Sequence, residues 1–248
     1  MREALKPVSA LLISVAILLT GQGLQGTLLP IRASVESFST TSIGLMGAAY
    51  FFGFTIGCLL GVYFVKRVGH IRVFLAMTAI ASTTALIHAL LLFPAIWILM
   101  RMLTGFCFAV LFVVIESWVN DRSSNENRGV IFSVYVMITL TVQAVGQFLM
   151  LLYEPNGVEL FAITSILVTL AAIPIALSTS PAPFIDQNTS FNLKKLYKIS
   201  PAAVIGCLFI GLANGSFWSL APIFISDVFS DISFTAYFMT AVIVGGAI

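Results

Sequence analysis

The chain has 248 residues, of which 59% are hydrophobic and only 9% are charged. Soluble domains normally carry about a quarter charged residues, so this composition excludes an ordinary soluble protein and indicates a polytopic membrane protein. The net charge of +2 comes without a basic face for phosphates, so we expect no nucleic-acid partner. Cys58, Cys107 and Cys207 lie inside apolar runs without metal-ligand spacing, so we interpret them as core residues and expect no metal or cofactor.

Apolar runs long enough to cross a bilayer follow one another along the chain. A helix rising 1.5 Å per residue needs about 20 apolar residues for this. The first run continues to Pro30, too far for a signal-peptide core, so it is a first span whose basic end stays in the cytoplasm. The seven predicted spans cover residues 8–29, 43–65, 73–92, 96–118, 130–152, 160–177 and 202–225, and an eighth begins near Ser233. We therefore predict an all-α polytopic membrane protein with about eight transmembrane helices.

Basic residues predict the orientation of these spans. With the N-terminus inside, all the Lys and Arg residues fall in cytoplasmic segments except Arg32, which lies outside, and Arg101, which lies within the bilayer. The sequence thus predicts a multi-pass protein of the cytoplasmic (inner) membrane. Residues 1–178 form an N-terminal six-helix bundle, 179–200 a cytoplasmic linker, and 201–248 the first two helices of a C-terminal bundle. We explain the basic cluster of the linker, 194–198, by anionic lipid headgroups of the bilayer.

An internal repeat supports this division into two bundles. Shifting the chain by 192 residues places Gln22-Gly23 on Asn214-Gly215, residues 28–31 on 220–223, and Gly53 on Gly245. A parallel six-plus-six repeat is a transporter architecture. On this pattern we expect helices nine to twelve to lie beyond Ile248, in a protein of roughly 380 to 400 residues.

The fourth span carries two charges, Arg101 and Glu116. Arg101 sits roughly 8 Å from one end, where an unpaired guanidinium is costly, so it should face a partner or a wet cavity. The alternative is that it reaches up to the headgroups. Glu116 lies near the other end and within about 60° of the same face, so the helix presents a charged stripe. Trp97 and Trp118, at the two ends, are predicted to be interface anchors.

Polar residues of several spans fall at one depth in the outer half of the bundle. Lipid cannot satisfy such a layer, whereas a wet cavity or another helix can. The alternative for each amide is a hydrogen bond between helices, contributing about 0.6 kcal/mol. For the layer as a whole we favour a solute pathway. The predicted pathway residues are Gln22, Gln25, Arg101, Gln143 and Gln147, with Asn214 as the repeat equivalent of Gln22 and Trp218 one turn later.

Other polar and small residues of the spans have competing interpretations. Tyr135 and Thr139 extend the two glutamines of span five into a polar stripe. His88 is a candidate proton relay, but a lone histidine near a helix end is more often paired with a neighbouring carbonyl. The glycines of span one are expected to allow close helix packing.

Two segments carry a resemblance to a known family. The loop 61–72, with Gly61, Lys66, Arg67, Gly69 and Arg72, is similar to the loop motif of the major facilitator superfamily, and 101–105 to its arginine-and-glycine motif. Runs 115–120 and 125–129 resemble those of a poorly characterised bacterial branch. The resemblance implies a major-facilitator-like six-helix bundle followed by the start of a second one. The loop's expected acidic residue is absent, and we hypothesise that Glu116 supplies a carboxylate to Arg67 or Arg72 instead.

The resemblance implies secondary transport of a small solute by alternating access, with a proton as a candidate coupling ion. Arg101 favours an anionic or zwitterionic substrate, and the position of Glu116 favours a gating role. The alternatives are a transporter-like membrane sensor and a membrane-embedded enzyme. An enzyme would need a nucleophile with its base or a metal cluster, and His70 and His88 supply neither, so we expect no enzymatic activity.

Overall fold

The computed structural model describes residues 8–178, 183, 193–229 and 231–246, and every regular element in that part of the chain is helical. Five long helices come first, and the sixth predicted span is divided in two. A short helix precedes the last two spans. The helices are α1 (Ser9–Val35), α2 (Thr40–Val68), α3 (His70–Leu90), α4 (Pro94–Asp121), α5 (Arg128–Phe148), α6 (Glu159–Leu170), α7 (Ala172–Ala176), α8 (Leu193–Ile199), α9 (Pro201–Val228) and α10 (Ile232–Gly245), with a 3-10 turn at Leu149–Leu151.

Seven helical segments of the described chain are long and apolar enough to span a membrane, and α10 is a shorter apolar helix. This confirms the predicted all-α polytopic fold class. The ends of two helices differ from the predicted span ends, in both cases near a proline. Helix α1 runs through Pro30 to Val35 instead of ending near it, as proline can be tolerated inside a transmembrane helix. The sixth span breaks between α6 and α7 because Pro174 cannot donate a hydrogen bond to the carbonyl of Leu170.

Glycines bring two pairs of helices into backbone contact. A side chain at Gly53 would overlap the carbonyl oxygen of Met102, and one at Gly105 would overlap that of Tyr50, so α2 and α4 touch along their backbones. Between α1 and α5, a Cβ at Gly23 would lie 2.7 Å from the carbonyl oxygen of Gln143. Small residues at such crossings allow the close approach that drives helix association in lipid.

The apolar core is divided along α1. One buried cluster packs on its first half, around Val15, Leu18 and Phe108, and a second packs on its last part, around Leu28 and Phe161. Polar residues of α1 lie where one cluster gives way to the other.

Both tryptophans of α4 belong to these clusters, and the prediction that they anchor the membrane interface is wrong. Trp97 is fully buried and its Nε1 donates to the carbonyl of Leu91 at 2.8 Å, while Trp118 is 2% exposed. Helix ends inside a bundle are covered by neighbouring helices, so their aromatic side chains pack in the protein instead of in the headgroups.

The last two helices pack on the outside of the first five. Helix α9 lies against α1 and α2, and α10 lies against α5, where the rings of Phe148 and Tyr237 are 6.1 Å apart. Most of α9 is exposed. That α9 and α10 begin a second bundle remains a prediction.

Candidate functional site

A cavity of about 290 Å³ lies in the outer half of the predicted bundle, between α1, α2, α4, α5 and α9. Six of the predicted pathway residues line it: Gln22, Gln25, Arg101, Gln143, Gln147 and Trp218. The rest of its lining is Gly23, Gly26, Thr27, Tyr50, Phe51, Phe54, Phe108 and Ser219. The structure therefore brings together polar residues from five helices that are distant in sequence.

Arg101 is the one charged residue in the described lining of this cavity. Its guanidinium carbon lies 4.3 Å from the centre of the Tyr50 ring, a cation–π contact. Neither ion pair found between described residues involves Arg101, and none of their hydrogen bonds uses its guanidinium. The contact arises because Gly105, one turn after Arg101, lets α4 touch the backbone of α2 at Tyr50.

Tyr50 is a cavity residue that sequence reasoning missed. Nε2 of Gln22 donates to its hydroxyl oxygen at 3.0 Å, so the hydroxyl proton is left available to the cavity. Oε1 of Gln22 is buried and accepts no hydrogen bond from a described residue. The signal for Tyr50 was its hydroxyl in the middle of an apolar span, which lipid could not satisfy.

Gln147 joins α5 to α1 as well as lining the cavity. Its Oε1 accepts from the Thr27 hydroxyl at 2.5 Å, and its Nε2 donates to the carbonyl of Gly23 at 3.0 Å. Gln147 thus makes the interhelical hydrogen bonds of one alternative, and its place in the solute pathway, the other alternative, stays a prediction. Lower on α5, the Thr139 hydroxyl donates to the carbonyl of Tyr135 at 2.8 Å, a bond within the helix.

Gln25 differs from Gln147 in having an unpaired donor. Its side chain is 2% exposed, and its Nε2 has no hydrogen-bond partner in the described part of the chain. A buried amide donor without a partner is destabilising, so such a group usually faces a ligand or water.

Asn214 lies outside the cavity and is exposed, which corrects its predicted place beside Gln22. The row of α9 that faces α2 contains Gly215, against the Phe51 ring, and Ser219, against Gly47. Asn214 lies on the same face of α9 as Trp218, one turn before it, and of the two only Trp218 reaches the cavity. The repeat match of Asn214 with Gln22 therefore does not give Asn214 a place in the described lining of the cavity.

His88 is paired with a carbonyl, the alternative to a proton relay. Its Nδ1 lies 2.6 Å from the Thr84 carbonyl oxygen, and its ring packs edge-on against Trp97 at 5.2 Å. It does not line the cavity.

The predicted gating loop forms a tight joint between α2 and α3. Gly69 has φ +88°, a left-handed conformation that glycine adopts easily, and it both ends α2 and begins α3. Gly61 packs closely on α4: a Cβ added to it would lie 3.3 Å from a methyl carbon of Val113. Lys66 is partly buried near the end of α2, whereas Arg72 is exposed on the first turn of α3.

The structure does not pair Glu116 with Arg67 or Arg72. Glu116 is exposed, and neither ion pair in the described segments includes it. The Arg67 guanidinium instead donates to the Tyr63 hydroxyl at 3.3 Å. His70 bonds this joint to α4, because its Nε2 lies 2.9 Å from the Ser117 hydroxyl.

A multi-pass helical bundle around a polar cavity is the architecture of a membrane carrier. The chain belongs to the Major Facilitator Superfamily, whose sequence profile matches residues 11–248. This confirms the resemblance seen in the loop and in α4, and it identifies a family of membrane transporters rather than enzymes.

Relatives and solved structures agree with this assignment. The chain is 23% identical over 245 residues to "Uncharacterized MFS-type transporter YcaD" of Escherichia fergusonii, covering 98% of this chain and 64% of that protein. It is 28% identical over 227 residues to the Escherichia coli protein of the same name, covering 89% and 58%. The chain thus spans about three-fifths of the length of these relatives.

The fold is also that of a solved transporter. A mutant form of the nucleoside transporter NupG superposes with a TM-score of 0.73 at 16% identity, covering 93% of this chain and 61% of that one. A second NupG structure gives a TM-score of 0.62 at 14% identity, covering 83% and 53%. At this identity the likeness establishes the fold and not the substrate.

Proposed function

We propose that the protein is a secondary active transporter that moves a small solute across the cytoplasmic membrane by alternating access. The observation that carries this proposal is the cavity between five helices, which combines an Arg101 without a carboxylate partner and amides with open hydrogen bonds. Lipid cannot satisfy these groups, whereas water or a bound solute can. The distribution of basic residues supports a cytoplasmic N-terminus.

The cytoplasmic side of the gate is proposed to include the joint between α2 and α3. Its left-handed Gly69 and the His70–Ser117 bond couple the ends of α2 and α3 to α4, the helix that carries Arg101. A movement of this joint would therefore reach the cavity through α4. Glu116, exposed on α4 one residue before Ser117, is proposed to join such a gate in another conformation.

A cysteine at Gly26 tests alternating access without knowledge of the substrate. Gly26 lines the cavity, and a Cβ built there meets no atom within 4 Å, so the cysteine should be accommodated. In full-length protein without native cysteines, we expect Gly26→Cys to react with a membrane-impermeant thiol reagent in both right-side-out and inside-out vesicles. Val15→Cys is the matched control because Val15, also on α1, is fully buried and should react from neither side.

Labelling of Gly26→Cys from one side only would reject alternating access. Uptake of solute into proteoliposomes then separates a carrier from a sensor, because a sensor binds its ligand without accumulating it. A panel of metabolites screened for thermal stabilisation of the purified protein supplies the solutes for that assay.

A further inference from the structure

We infer that the cavity binds a small organic monoanion with a flat apolar body, its charged head on Arg101. This inference deepens the proposed function and rests on it, because it concerns the solute of the same cavity. The cavity contains an excess of open hydrogen-bond donors and a single charge. Both features can be counted from the described lining residues.

Several donor groups of the lining have no acceptor among the described residues. The Arg101 guanidinium stacks on Tyr50 and leaves its N–H groups free, the Tyr50 hydroxyl accepts from Gln22 and so keeps its proton available, and Nε2 of the buried Gln25 is unpaired. Acceptors are open as well: Oε1 of the Gln22 side chain is buried without a donor, and the Gln143 side chain forms no hydrogen bond with a described residue. The several N–H groups of the Arg101 guanidinium nevertheless give the lining more open donors than open acceptors. A cavity with open donors and a cation is complementary to an anion.

The number of charged residues in the cavity favours a solute with one negative charge and no positive charge. Arg101 is the one charged residue among the fourteen described residues that line the cavity. One guanidinium neutralises one carboxylate in a bidentate pair, whereas a dianionic phosphate would be left with a charge unpaired in a poorly solvated site. A zwitterion would bring an ammonium group that finds no carboxylate among the described lining residues.

The remaining walls are apolar and aromatic. Phe51, Phe54, Phe108 and Trp218 line the cavity beside the polar groups. Aromatic faces of this kind bury flat apolar groups well. The volume of about 290 Å³ is at the small end of the range for small-molecule sites, which limits the solute to a compact molecule.

Three probes that share one ring test the inference: benzoate, its neutral isostere benzamide, and the cation benzylammonium. Binding to the full-length protein in nanodiscs is measured by calorimetry. We expect benzoate to bind at least about tenfold more tightly than benzamide, the effect of a hydrogen-bonded charge, and benzylammonium to bind most weakly. In Arg101→Gln the ratio of benzoate to benzamide affinity should fall to about one.

Tyr50→Phe and Tyr135→Phe form a matched pair. Tyr50→Phe should lower the ratio about threefold because it removes one donor from the cavity. Tyr135→Phe should leave the ratio unchanged because Tyr135 lies outside the cavity. Should Arg101→Gln fail to fold, the three probes on the unmodified protein and this tyrosine pair still decide the question.

Equal binding of benzoate and benzamide, tighter binding of benzylammonium, or a ratio that persists in Arg101→Gln would overturn the inference. So would the absence of binding by benzoate, cyclohexanecarboxylate and 1-naphthoate alike. The two proposals fail differently. Anion preference combined with one-sided labelling of Gly26→Cys would reject alternating access alone, whereas two-sided labelling without anion preference would reject the anion alone.

Discussion

Two groups of polar side chains lie inside this bundle. In one group the hydroxyls hydrogen-bond to other residues of the bundle, whereas in the other some donors have no acceptor among the described residues. Between α3 and α6, the hydroxyls of Ser82 and Ser165 are 2.6 Å apart and Thr169 donates to Ser82 at 2.8 Å. Between α3 and α4, Thr84 and Thr104 are 2.9 Å apart. We call these five residues the packing cluster. In the cavity, by contrast, Arg101, Tyr50 and Gln25 keep donors that no described residue accepts.

This difference teaches how polar residues in a membrane bundle can be interpreted. A hydroxyl that can return its proton to a carbonyl one turn earlier satisfies itself within its own helix, as Thr104 does with Met100 at 2.7 Å. A guanidinium or a primary amide has more donors than one helix can accept. Its remaining bonds must be made by another helix, by water or by a solute, so such side chains mark a pathway more often than hydroxyls do.

The largest expected effect is on transport, from Arg101→Ala. Removing the cavity's one charge should lower solute uptake by the full-length protein about 100-fold or more, since truncating one partner of a buried charged pair typically costs about 2–5 kcal/mol. Uptake into proteoliposomes measures this. Arg101→Lys, which keeps the charge but loses the planar fork, should be intermediate. Uptake unchanged in Arg101→Ala would remove Arg101 from the site.

The second effect is on the geometry that joins α2 to α4. Gly53→Ala places a methyl group against the carbonyl of Met102 and should destabilise the protein by about 1–3 kcal/mol, the typical cost of overpacking. It should also reduce uptake, because it separates Tyr50 from Arg101. Thermal unfolding of the purified protein measures the loss. Gly206→Ala is the control: a Cβ there meets no atom within 4 Å and alanine favours the helix, so its melting temperature should not fall.

The third effect separates the packing cluster from the cavity. Ser82→Ala removes the hydroxyl that binds both Ser165 and Thr169, and should destabilise the protein by about 1 kcal/mol. Uptake per folded molecule should stay at its original level. Ser133→Ala, at an exposed position on α5, should change neither quantity. A loss of uptake in folded Ser82→Ala would show that the packing cluster takes part in transport.

The smallest effect concerns an exposed hydrogen bond at the start of α10. The backbone N–H of Ser233 donates to the Asp231 carboxylate at 2.9 Å, and this bond lowers the pKa of Asp231 below its ordinary value of 3.8. A lowered folded-state pKa means that the cap stabilises α10 above pH 3.8 and loses this contribution as the pH falls through the folded-state pKa.

Hydrogen exchange of the first turn of α10, compared with that of Asp231→Asn, measures the cap's contribution. The asparagine keeps the capping oxygen but does not titrate. The protection of the first-turn amides in the unmodified protein, divided by that in Asp231→Asn, should therefore fall on acidification. A ratio independent of pH would show that the carboxylate charge contributes nothing to the cap.

Much of the fold and part of the candidate site could be predicted because the bilayer reduces the problem to one dimension. Depth follows from residue count along a helix, so Gln22, Gln25, Arg101, Gln143 and Gln147 could be placed in one layer before any contact was known. The family followed from the motifs around Gly61 and Arg101. The predictions for Trp97, Trp118 and Asn214 failed for a common reason: each depended on which neighbour a helix face meets.

The sequence by itself determined the order and the approximate extent of the apolar helices, because hydropathy and the rise of a helix set them without reference to neighbours. Only the tertiary structure decided the rotation of each helix about its axis. That rotation comes from contacts such as those of Gly53 and Gly105, which press α2 against α4 and turn Tyr50 toward Arg101. Since contacts between distant residues leave no local pattern in the chain, the donors left open in the cavity could be counted only after the helices were packed.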